Sequence, residues 1–190
     1  MVTPIVNIEQ FNQNEIALTP EKKETIKGIV VHKVGHAVVA WAQGIPLMRI
    51  DLYVEGGKQS GSTIYNSLEN VTPQMQGICI TAGLAGELIL LGEEYVRNSG
   101  FKGLKSDSAW LNRLGFTNQE QKAELLKNAL GILNENLDLY KDWTSRLAET
   151  MEIAATSGQE KMQITRERME SMGILDYYSS SATPTTSIKN

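Results

Sequence analysis

Residues 31–37 read Val31-His32-Lys33-Val34-Gly35-His36-Ala37 and contain both histidines of the chain. On an α-helix, positions i and i+4 lie one above the other on one face, so His32 and His36 can aim both imidazoles at a single point. Two histidines dropped at random into a chain of this length fall four apart about one time in a hundred, which gives the pair the weight of a motif. Such a pair can grip a metal ion, or it can be two core groups hydrogen-bonded to nearby backbone; spacing alone leaves both readings open. The surroundings favour a helix. Thr19 is a natural N-cap with Pro20 at the first helical position, and Ile26, Ile29, Val30, Val34, Ala37, Val38 and Trp41 follow at helical spacing. Gly44 and Pro46 end it.

Further along, 48–54 and 62–65 are rich in β-branched and aromatic residues and flank Glu55-Gly56-Gly57, which predicts a β-hairpin with Gly61 as a bulge. Thr72-Pro73 repeats the cap-plus-proline start, and 74–91 reads as a buried helix. Its small residues Gly77, Ala82, Gly83, Ala85 and Gly86 let another helix approach closely. Residues 93–106 read as a loop, after which Asp107 opens a short helix to Leu114. Thr117 and Glu120 form a capping box, with Thr117 as N-cap. Leu126, Leu130, Leu133, Leu137, Tyr140, Leu147 and Met151 make a nearly heptad-spaced stripe, broken near 134–138. So few heptads favour a core-facing pair of helices over a coiled-coil dimer face, although oligomerisation stays open. A last short helix is expected at 165–172. The fold class expected is mainly α with a small β-hairpin, in one domain over 20–176. An extended arm (1–19) precedes it, and a disordered Ser/Thr-rich tail (177–190) follows.

Composition narrows the function. The 190 residues are 41% hydrophobic, enough for one proper core, and the net charge of −4, with no basic cluster interleaved with aromatics, argues against nucleic-acid binding. A lone cysteine, Cys79, sits in an apolar run and fits a buried thiol in a reducing compartment. No stretch has the layout of a signal peptide, and the longest apolar run, 78–92, contains Glu87 and is too short to span a membrane. A cytoplasmic location without membrane insertion is the expectation.

Metallopeptidases built on H-E-x-x-H hold zinc on two such histidines and use the Glu after the first as general base. Here that position is Lys33. A third ligand must come from elsewhere: Asp107 leads, following a Gly-rich segment, with an ordinary helix cap or first-turn acid as the alternative. Glu87 is second, because a carboxylate within an apolar helix needs a partner when buried.

Together, His32-Lys33-Val34-Gly35-His36-Ala37, the hairpin, Ala82-Gly83-Leu84-Ala85-Gly86-Glu87-Leu88-Ile89 and Gly103-Leu104-Lys105-Ser106-Asp107 resemble the peptidase domain of FtsH-type membrane AAA+ proteases over about 20–175. The resemblance implies a zincin-like helical metallopeptidase domain, with His32, His36 and Asp107 as zinc ligands and Glu87 at an acidic position of the middle helix. Two departures qualify it. No ATPase module or membrane helix precedes the domain, so ATP-driven threading of substrates is not expected of this chain. A protonated lysine at position 33 can neither take a proton from the attacking water nor pass one to the leaving amine. Near a dication its charge also opposes metal binding.

The expectation is therefore a degenerate peptidase domain, with zinc as cofactor and weak or no hydrolysis, that binds a peptide or unfolded protein segment. An active zinc peptidase is the alternative, with Glu87 as substitute carboxylate or Lys33 an altered position in an active parent. A non-proteolytic metal-dependent enzyme, with Lys33 as acid, base or anion-binding group, is a third reading.

Overall fold

The computed structural model describes residues 18–55, 58–65, 70–98, 104–159 and 161–173. The expected arm up to residue 17, the expected tail, and the glycines at 56, 57, 100 and 103 lie outside these.

Helix α1, Pro20–Ala42, runs through the middle of the molecule. It begins where expected, with Thr19 Oγ1 accepting from the Lys22 N–H at 3.2 Å. It ends in a Schellman motif: Ile45 N–H donates to the Ala40 carbonyl and Gly44 N–H to that of Trp41, each at 2.9 Å, with Gly44 at φ +72°. From Gly28 to Ala40 every residue of α1 is buried except Lys33. A helix enclosed on nearly all sides needs packing partners on every face, and the later elements supply them.

Strands β1, Leu47–Glu55, and β2, Lys58–Tyr65, form the antiparallel hairpin. Gly61 pairs in register with Leu52, so it is not the bulge; the register shift falls between Leu47 and Arg49. What requires glycine at 61 is room, because a Cβ there would lie 2.6 Å from the Asp51 carbonyl and 3.2 Å from Lys33 Cε. A third strand, β3, Lys161–Thr165, pairs antiparallel with β1 and makes the sheet order β2-β1-β3. All of this strand but Thr165, which was expected to open the last helix, lies in a segment the sequence left unassigned.

Helix α2, Pro73–Leu90, starts with Thr72 Oγ1 accepting from Met75 N–H at 3.2 Å. Its small residues serve the close approach they suggested. A Cβ on Gly35 of α1 would come within 2.5 Å of the Ala82 carbonyl, and one on Gly83 would overlap the His32 ring. The expected loop after α2 is in part helical, as α3, Gly92–Asn98, and α4 starts before Asp107, spanning Leu104–Arg113.

Helices α5, Gln119–Glu135, and α6, Leu137–Thr156, break at Asn136, inside the expected interval. The cap of α5 is Asn118 rather than Thr117: Asn118 Oδ1 accepts from the Gln121 N–H at 2.7 Å. Leu133, Tyr140, Leu147 and Met151 of the apolar stripe are buried in the core. Helix α7, Arg166–Ser171, closes the described chain, capped by Thr165. The architecture is thus mainly helical, with a small three-stranded antiparallel sheet. Among the described residues no helix is long and apolar enough to cross a membrane.

Candidate metal centre

The buried middle of α1 carries His32 and His36, and their Nε2 atoms face each other at 3.0 Å. Each ring is held from behind. His36 Nδ1 lies 2.6 Å from the Cys79 carbonyl on α2, and a carbonyl only accepts, so this nitrogen carries the proton. His32 Nδ1 donates in the same way to Glu87 Oε1, also on α2, at 2.7 Å. With both rings neutral, the two Nε2 atoms are left as lone-pair donors turned toward one point. Gly83 makes this seating possible, since any side chain there would take the space of the His32 ring.

Asp107, in the first turn of α4, brings the third group. Its Oδ2 lies 3.4 Å from His32 Nε2 and 3.9 Å from His36 Nε2. That oxygen is buried, and among the described residues it has no hydrogen-bond partner. A buried carboxylate oxygen without a donor costs on the order of 1–3 kcal/mol or more, and two lone pairs at hydrogen-bond distance repel. A cation between the three atoms removes both penalties. Their mutual distances, all within 4.8 Å, suit one metal ion, and the donor set of two imidazoles and a carboxylate suits zinc chemistry. The support from Glu87 and the Cys79 carbonyl follows the pattern of metal-bound histidines, whose other ring nitrogen is anchored to a carboxylate or a backbone carbonyl.

The electrostatics are those of a tightly shared site. Burial, with the charges of His32 and Lys33, pushes His36 down to about 3. Burial pulls His32 the same way, but the Asp107 and Glu87 carboxylates beside its ring outweigh it and raise the group. Burial penalises the Asp107 carboxylate, yet His32, His36 and Lys33 together hold it below the usual range. Lys33 is lowered by burial, against the opposing pull of Asp107 and Glu87.

A cavity of about 430 Å³ opens beside this cluster, bordered by Lys33, His36, Asp107, Tyr65, Ser62 and Trp110 among others. Of the residues picked out in the sequence, the structure brings His32, His36 and Asp107 together and puts Lys33 next to them on the cavity wall. Glu87 stands elsewhere, bonded to the far nitrogen of His32 and absent from the cavity lining. Cys79 contributes its backbone carbonyl. Its thiol is pushed up to about 12 by burial, partly offset by Gln43, whose Nε2 donates to Sγ at 3.1 Å. The support from the Cys79 carbonyl, the room Gly61 leaves for Lys33 and the seat Gly83 leaves for the His32 ring escaped sequence reasoning, since none depends on a reactive side chain. No protein-family model and no curated protein matches the chain.

Proposed function

We propose that this chain is an FtsH-like, zincin-like domain that holds one zinc ion on His32, His36 and Asp107 and binds an extended peptide or unfolded protein segment with weak or no hydrolysis. The observation that carries the reading is the place of Lys33. It is the one residue between Gly28 and Ala40 of α1 that is not buried, it borders the same cavity as His36 and Asp107, and it occupies the position of the general base. A zinc ion bound there supplies Lewis acidity to the cavity. Among the described residues lining the cavity the one carboxylate is Asp107, which this reading commits to the metal, so none is left on that wall to move protons. Removing a general base costs on the order of a hundredfold to ten-thousandfold in rate.

Binding has its own support. Strand β2 lies at the margin of the sheet, and among the described residues no strand pairs with its outer side. Gly61, Ser62, Thr63 and Tyr65 of β2 also line the cavity. An extended segment can add to such an edge through main-chain hydrogen bonds. The competing reading, in which Glu87 acts as base, has the Glu87–His32 hydrogen bond against it, because that carboxylate is engaged behind the ring.

The test compares the unaltered chain with Lys33→Glu, both purified without a histidine tag, for zinc content and cleavage of an unfolded protein. About one zinc per chain in both is expected, with hydrolysis in the variant alone or far above that of the unaltered chain. Cleavage by the unaltered chain at ordinary metallopeptidase rates, abolished by a chelator, would overturn the reading.

A further inference from the structure

We infer that the cavity beside the metal centre is a carboxylate-binding site in which the Lys33 ammonium is the counter-charge, the carboxylate being a peptide chain end or a small organic acid. The inference deepens the proposed function and rests on that reading for the metal ion, though the lysine contact stands without it.

Three observations converge on Lys33. The first is its surroundings. Among the described residues no carboxylate lies within ion-pair distance of it, and Asp107 and Glu87 act on its charge only through space. A cation at the wall of a cavity, without a bonded counter-ion of its own, favours an anionic ligand. The second is its seat. A Cβ at Gly61 would come 3.2 Å from Lys33 Cε and 3.3 Å from Cγ, so the stem lies against the β2 backbone, in space that any other residue at position 61 would fill. Thr63 Oγ1 donates to the Lys33 carbonyl at 3.2 Å and ties β2 to α1 at that same residue. The third is the company. Tyr65 borders the same cavity, and burial raises its phenol, which keeps the hydroxyl protonated as a neutral donor, while Trp110 adds an apolar wall.

Charge bookkeeping gives the sign. With a dication on the ligands, the carboxylates of Asp107 and Glu87 cancel it and the ammonium of Lys33 leaves the site with a net positive charge. A glutamate at position 33 would leave it net negative. The same pocket that would repel an anion with glutamate therefore attracts one with lysine. A neutral peptide carbonyl gains nothing from this change, whereas a carboxylate does.

The experiment titrates three probes into the full chain by calorimetry: N-acetylated tetra-alanine with a free C-terminal carboxylate, the same peptide as its C-terminal amide, and succinate. Each titration is made on zinc-loaded and on chelator-stripped protein, with metal content measured on the same samples. Lys33→Met keeps the length of the stem and removes the charge; Lys33→Arg keeps the charge, and circular dichroism checks that both fold. Either the free-acid peptide binds at least about tenfold tighter than its amide, the worth of one hydrogen bond to a charged group, or succinate binds. In either case binding is retained by Lys33→Arg and lost in Lys33→Met. A preference among peptides identifies the chain end as the source, and succinate binding alone identifies the small acid. If neither acid shows Lys33-dependent binding, the inference is overturned. Should that happen in protein that carries zinc, the metal centre stands without it; Lys33-dependent binding in protein that takes up no zinc does the reverse.

Discussion

Asp107 is the residue on which the metal reading can be broken most cleanly. Its Oδ2 is buried, has no donor among the described residues, and faces the Nε2 atoms of both imidazoles. Asp107→Asn keeps the shape and removes the charge, so zinc retained at one equivalent by this variant after dialysis would count against the site. Glu87 acts one step back, through its 2.7 Å hydrogen bond to His32 Nδ1. Losing such a support weakens metal binding by about tenfold to a hundredfold, so Glu87→Ala should raise the zinc dissociation constant by that much in a competition titration with a chelating dye. His36 gives a pH signature. Burial, with the charges of His32 and Lys33, takes it from 6.5 to about 3, and a group whose folded value is depressed resists protonation. The stabilisation it contributes is complete above about 6.5 and is lost as pH falls toward about 3. In metal-free protein, the urea-midpoint advantage of the unaltered chain over His36→Gln should therefore shrink as pH drops from about 7.5 to 4.5. An advantage that stays constant would mean that His36 is not buried as described.

The contact between α1 and α2 is what converts a histidine pair into a site, and two glycines decide it. Adding a Cβ at Gly83 places it 2.5 Å from His32 Nε2, so Gly83→Ala should cost about 1–3 kcal/mol by overpacking and also weaken zinc binding. Gly131 is the control. It lies exposed inside α5, and a Cβ there meets nothing within 4 Å, so Gly131→Ala should raise stability by roughly 0.5–1 kcal/mol through helix propensity alone. Denaturant midpoints of the two variants should move in opposite directions. Legibility at this level followed the locality of the signal. Thr19-Pro20 and Thr72-Pro73 marked two helix starts because a cap bonds a backbone N–H three residues away. Asn118 displaced Thr117 as a cap because adjacent residues of equal competence cannot be ranked without the backbone angles. Strand β3 was illegible for the opposite reason: of its five residues only Ile164 is buried, and what makes it a strand is pairing with β1, more than a hundred residues earlier in the chain.

Across the whole molecule, the site is assembled from separate parts of the chain: α1 gives the imidazoles, α2 the groups behind them and α4 the carboxylate. The histidine pair was readable because a helix turn is local geometry. Asp107 was readable only as a candidate, since nothing near it in sequence says that the first turn of α4 lies against α1. The same assembly gives metal binding a stake in global stability, because a ligand held by the folded state alone stabilises it by RT ln(1 + [L]/Kd). At free zinc about a hundredfold above the dissociation constant that is roughly 2.7 kcal/mol, which for a chain of this size raises the melting temperature by about 5–10 °C. Scanning calorimetry with buffered zinc and with chelator should show that rise in the unaltered chain and none in Asp107→Asn. Lys33→Glu separates two effects of the lysine. If its charge opposes the ion, the variant gains a larger zinc-dependent rise than the unaltered chain. If a bound anion offsets that charge, adding succinate narrows the gap by enlarging the zinc-dependent rise in the protein that keeps Lys33 and leaving that of the variant unchanged.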